Sequence, residues 1–199
     1  MMNQTDAGKA AKYSKVWNLP NMLTYGRIVA VPVVAALLLW GGNEARWAAL
    51  IVYVLAAISD FFDGYLARRW QQQSSLGRML DPIADKVLVA VVLLVLCADD
   101  ILRGGHIWAA IIILSREVLV SGLREYLGEL QVSVPVTKIA KWKTAVQMIA
   151  IGFLIAGPAG DTVIPHTTIV GIAMLWVAAA LTLYTGYDYF RAGIRHVVD

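Results

Sequence analysis

Residues 59–86 read SDFFDGYLARRWQQQSSLGRMLDPIADK, and four aspartates in that stretch, Asp60, Asp63, Asp81 and Asp85, stand at the ends of two strongly apolar segments. An ionised carboxylate in such a place is costly unless something positive holds it. Asp60 and Asp63 are three apart and Asp81 and Asp85 four apart, so on helices each pair projects from one face. Two such pairs can converge across a helix interface, where they repel unless cations neutralise them. Oxygen ligands, with no Cys or His inside the motif, suit a hard cation such as Mg²⁺ or Mn²⁺ and argue against zinc. Gly64 and Gly77 remove side chains where a ligand or a second backbone needs close approach. Arg68, one helical turn after Gly64, supplies a cation suited to a phosphate oxygen. The plainer alternative is that these are helix-end carboxylates paired with Arg68, Arg69, Arg78 and Lys86 at a membrane surface.

Outward from this stretch, the composition decides the class. The chain has 199 residues, 59% hydrophobic and 16% charged, and its apolar runs are too long for a soluble core of this size. Six segments, approximately 23–40, 45–66, 82–98, 107–127, 141–155 with some extension, and 168–190, each approach the roughly 20 apolar residues that cross a bilayer. An all-α integral membrane protein with six transmembrane helices is predicted, forming one domain over 21–199. Short connections rich in turn formers join the segments at GGNEAR, at DDILRGG and over 157–166, and leave no room for a second domain. The start does not read as a cleavable signal peptide, because the first apolar run follows about twenty polar residues. Cys97 is the single cysteine and reads as a small apolar packing residue.

Charge gives the orientation. Counting Lys and Arg on alternate sides leaves only Arg46 and Arg103 opposite the face that holds the aspartates, and the rest of the 17 basic residues on that face. The positive-inside rule then puts both termini and the acidic motif in the cytoplasm. Within residues 1–20, Lys9, Lys12 and Lys15 beside Tyr13, Val16 and Trp17 predict an interfacial amphipathic helix. A net charge of +3, spread along one membrane face, points to anionic lipid headgroups and not to nucleic acid. The tryptophans fall mostly near segment ends, as aromatic belts do.

Three further polar clusters lie on the cytoplasmic side. Asn21, Thr24 and Arg27 follow at three-residue steps as the first span begins, as caps and a snorkelling Arg or as part of a site. In the fourth span Arg116 and Arg124 are eight apart and share a face, a receptor for a phosphate dianion unless Glu117 and Glu125 pair with them. Lys138, Lys141 and Lys143 open the fifth span, with Lys143 placed to point inward beside Thr144 and Gln147.

Read as D-x-x-D-G-x-x-A-R, eight residues, then G-x-x-x-D-x-x-x-D, the positions Asp60, Asp63, Gly64, Ala67, Arg68, Gly77, Asp81 and Asp85 resemble the signature of the CDP-alcohol phosphotransferases without a departure. That resemblance implies a membrane enzyme that moves a substituted phosphate from a CDP-linked donor to an alcohol and releases CMP. It implies two divalent cations on Asp60, Asp63 and Asp81, with Asp85 as general base and a further metal ligand. Asn21, Thr24, Asp63, Gly64, Ala67, Arg68 and Gly77 would then hold the donor nucleotide. The opening NLPNMLTYGRI, the fourth-span SREVLVSGLRE and the fifth-span KWKTAVQ are similar to the bacterial phosphatidylglycerophosphate synthase branch, with Leu19 in place of a more usual Ile. The implied substrates are CDP-diacylglycerol and sn-glycerol 3-phosphate, with Arg116, Arg124 and Lys143 on the acceptor phosphate, in a homodimer of the bacterial inner membrane. The alternatives are another acceptor (inositol phosphate, serine or phosphatidylglycerol) and, from a different class, a divalent-cation transporter. A transporter needs acids reaching the far side, where Glu44, Asp99, Asp100 and Asp161 all fall in expected loops. His106, His166 and His196 fall near segment ends and offer no convergent metal site.

Overall fold

The computed structural model describes residues 19–70, 75–132 and 138–198, and within them the side chains other than those of residues 19–20, 60–70, 75–76, 78, 138–141 and 195–198. The expected amphipathic helix near the N-terminus lies outside the described residues. Six long helices follow in chain order: α1 (Leu19–Trp40), α2 (Asn43–Trp70), α3 (Ser75–Ala98), α4 (Ile107–Glu129), α5 (Lys138–Asp161) and α6 (Thr167–Val198), with a short 3₁₀ turn at Gly104–His106. Among the described residues there is no strand. Each of the six apolar segments read from the sequence falls inside one helix.

Among the described residues four stretches, Asn21–Trp40, Gly104–Glu129, Trp142–Asp161 and Thr167–Ile194, are long and apolar enough to cross a bilayer. In α3 the apolar run is interrupted near its start by Asp81, Asp85 and Lys86. The outside of the bundle is apolar, with Leu39, Ile51, Leu94, Val118, Leu119 and Ile169 exposed. So continuous an apolar exterior suits lipid, where helices satisfy their own backbone groups. The interior is packed from Val34, Leu38, Tyr53, Val92, Leu96, Ile113, Ile151 and Leu154. Cys97 packs against this core, as a small apolar side chain does.

Helix α1 packs on α2 and α3, α2 on α5, and α6 on both α4 and α5. This order places the ends of α2 and α3 that bear the motif beside the starts of α1 and α5. Tyr53 ties α2 to α5 by donating its hydroxyl to the Met148 carbonyl at 3.1 Å.

The segment 157–166 was expected to be a loop from its first residue, yet α5 bends at Gly157 and continues to Asp161. Gly157 adopts φ 44° and ψ −126°, which side-chain-bearing residues avoid, and Pro158 follows it. At the bend the buried Arg46, from the start of α2, donates to the Ile155 carbonyl at 3.2 Å and pairs with Asp99 at the end of α3. One of the two basic residues on the far side is thus a structural clamp. A Cβ at Gly157 would lie 3.0 Å from Arg46 Nη1. Gly157→Ala is therefore expected to cost about 1–3 kcal/mol through backbone strain and a displaced guanidinium, read as a lower thermal midpoint in detergent. Asp161 closes the same end by accepting from the Thr168 amide at 3.0 Å and the Thr168 hydroxyl at 2.5 Å, capping the start of α6.

Candidate active site

The motif is divided between two helices. The backbone of residues 60–70 continues α2, so Asp60 and Asp63 stand one turn apart on it as their spacing predicts, with Gly64, Ala67 and Arg68 following. The side chains of these five residues lie outside the described residues. Gly77, Asp81 and Asp85 lie on α3, where Pro82, directly after Asp81, has no amide hydrogen to donate to the carbonyl four residues before it. Gly77 is buried.

Asp81 faces α1. Thr24, itself buried, donates its hydroxyl to Asp81 Oδ1 at 2.6 Å. Asn21 and Arg27, one turn on either side of Thr24, are also buried, so this face of α1 is turned into the bundle and does not only snorkel to the surface. A hydroxyl bond that fixes the plane of one carboxylate is the kind of outer contact that orients a metal ligand. Among the described residues no three His, Cys, Asp or Glu side chains converge, and Asp60 and Asp63 are outside that set. The carboxylate donors present, with Asp81 oriented by Thr24, fit a hard divalent cation.

Asp85, one turn further along α3, opens toward α4 and α5. It lines a small cavity with Lys86, Glu117, Lys143, Thr144 and Gln147. Lys143 is buried, as its expected inward direction requires, and its ammonium pairs with Glu117. Arg116 Nη1 stands 3.7 Å from the same Glu117 carboxylate, while Nη2 donates to the Thr185 hydroxyl of α6 at 3.1 Å. Lys86 donates to the Ser121 hydroxyl. The structure therefore brings Arg116 and Lys143 together on one carboxylate beside Asp85. Arg124 is exposed, with its guanidinium 5.5 Å from the centre of the Tyr189 ring.

Sequence reasoning offered Glu117 only as a partner for Arg116; that it also holds Lys143 depends on how α4 and α5 face each other. Thr185 and Gly186 carried no signal, and Ser121 entered only as a letter of the fourth-span motif SREVLVSGLRE. A Cβ at Gly186 would lie 2.9 Å from Arg116 Cγ and 3.2 Å from Nε, so α6 gives the arginine its path. Gly186→Val is expected to push Arg116 off Thr185 and cost about 1–3 kcal/mol through overpacking, read as a lower thermal midpoint in detergent.

The sequence matches the family described as CDP-alcohol phosphatidyltransferase over residues 17–184. Among similar proteins, the CDP-diacylglycerol–glycerol-3-phosphate 3-phosphatidyltransferase of Cereibacter sphaeroides is 40% identical, with 92% of this chain and 98% of the relative aligned. Proteins of the same name from Rickettsia typhi (48% identical, 88% of this chain and 96% of the relative) and Pseudomonas fluorescens (38%, 90% and 92%) are similar over nearly their whole lengths. With the aspartate motif on two successive helices and a match that runs from the start of α1 well into α6, the chain belongs to the CDP-alcohol phosphatidyltransferase family.

Proposed function

We propose that this protein transfers the phosphatidyl group of CDP-diacylglycerol to sn-glycerol 3-phosphate, giving phosphatidylglycerol phosphate and CMP. The observation that carries the choice of acceptor is the meeting of Arg116 and the buried Lys143 on Glu117, next to Asp85. Two cations sharing one carboxylate beside a candidate base form a site that a phosphate dianion can enter by taking over the role of Glu117. A neutral or cationic alcohol would gain nothing there.

Asp60, Asp63 and Asp81, with Asp85 adjoining, would hold two divalent cations, Mg²⁺ or Mn²⁺, which supply charge neutralisation for the diphosphate. Arg68, Gly64, Ala67 and Gly77, with Asn21 and Thr24 from α1, would hold the donor nucleotide, and the Thr24 bond keeps Asp81 in a fixed plane. Arg116 and Lys143 orient the acceptor by its phosphate, with Arg124 at the rim. Asp85 removes the proton from the acceptor's terminal hydroxyl as that oxygen bonds to the phosphorus bearing diacylglycerol. The bond from that phosphorus to the CMP oxygen breaks, and CMP leaves with the electron pair. The protein's work is positioning and electrostatic.

In this reading α2 and α3 complete a set of six spans, and both termini and the motif face the cytoplasm of a bacterial inner membrane, in a homodimer. The purified protein in detergent, given Mg²⁺ and CDP-diacylglycerol, should release CMP with glycerol 3-phosphate and not with inositol phosphate, serine or phosphatidylglycerol. Release with serine would overturn the assignment of Arg116 and Lys143, release with inositol phosphate or phosphatidylglycerol would overturn the choice of glycerol 3-phosphate, and release with none would overturn the reaction.

A further inference from the structure

Gln147 is 3% exposed, and its Oε1 is buried without a hydrogen-bond partner. A buried acceptor left unmet costs about 1–3 kcal/mol, so such an atom is a strong pointer to a group that arrives from outside. Gln147 lines the same cavity as Asp85, Glu117 and Lys143. It follows Lys143 by four residues on α5, so the two side chains share a face about 6 Å apart along the helix.

We infer that Gln147 is a specificity-determining residue for the acceptor, its amide oxygen receiving a hydrogen bond from the secondary hydroxyl of a glycerol phosphate. The inference rests on the acceptor reading above and deepens it. The cavity measures about 50 Å³, room for on the order of three or four water-sized groups. With Lys143 and Arg116 on the phosphate and Asp85 at the reacting hydroxyl, the middle hydroxyl is the one remaining polar group of the acceptor, and Gln147 Oε1 is the remaining polar atom of the cavity that calls for a donor. A site built to bond a hydroxyl rejects an analogue that lacks it, because the protein atom is again left unmet.

The test compares glycerol 3-phosphate with 3-hydroxypropyl phosphate, which has the same phosphate and terminal hydroxyl but no secondary hydroxyl. The wild-type protein should prefer glycerol 3-phosphate by about 30-fold or more in kcat/KM. Gln147→Leu should bring that ratio to within about threefold, chiefly by raising the KM for glycerol 3-phosphate, while the KM for CDP-diacylglycerol stays near its original value. Gln147→Asn, whose shorter amide falls back from the cavity, provides the same comparison should the leucine variant fail to fold. If either folded variant keeps the wild-type ratio, Oε1 is met only by water and the inference is overturned. A wild-type protein that uses neither three-carbon phosphate but another acceptor overturns the proposed function instead, so the two failures are distinct.

Discussion

Replacing Asp85 with asparagine is expected to lower CMP release by about 10³-fold or more, the scale of a lost general base. The amide has nearly the same shape as the carboxylate but cannot take the acceptor's proton. Because Asp85 lines a cavity and is not part of the packed core, the helices should assemble unchanged. Binding of CDP-diacylglycerol should persist, since Asp60, Asp63 and Asp81 remain. Turnover and donor binding measured on the same preparation separate the two roles. Wild-type turnover in this variant would move the base to another residue.

Removal of Lys143 has the next largest expected effect. Lys143→Met should raise the KM for glycerol 3-phosphate by about 100-fold, because it deletes a buried cation and leaves Glu117 facing the incoming phosphate with Arg116 alone at 3.7 Å. Adding Glu117→Gln removes that repulsion. The double variant should therefore bind the acceptor better than Lys143→Met alone, a non-additivity that a double-mutant cycle reads directly. If the double variant is no better than the single one, Glu117 does not compete with the acceptor and serves only to hold α4 against α5.

The motif was legible because its information is local. Intervals of three and four residues mean positions one turn apart wherever the helix lies, so Asp81 and Asp85 could be set one turn apart on α3 before any packing was known, though not which neighbours each would meet. The apolar segments were legible for a similar reason, since length and hydropathy decide a span without reference to neighbours. The bend at Gly157 was read as a loop because glycine followed by proline marks a break but does not reveal whether the helix resumes after it. Here it resumes, with Arg46 bonded to a carbonyl beside the break.

The acceptor side was only half legible. Arg116 and Arg124, eight apart, look equivalent along a helix, yet α6 separates them: Thr185 holds one in the interior, and the ring of Tyr189 keeps the other at the surface. Lys143 and Glu117 are 26 residues apart in the chain, and nothing in either local sequence names the other. By itself, then, the sequence determined that carboxylates spaced for a hard cation stand at the ends of apolar helices in a membrane, because helical periodicity and bilayer thickness act on each segment separately. Only the tertiary structure decided which cation meets which carboxylate, and that Gln147 shares a cavity with Asp85, because those pairings depend on how each helix is rotated against its neighbours.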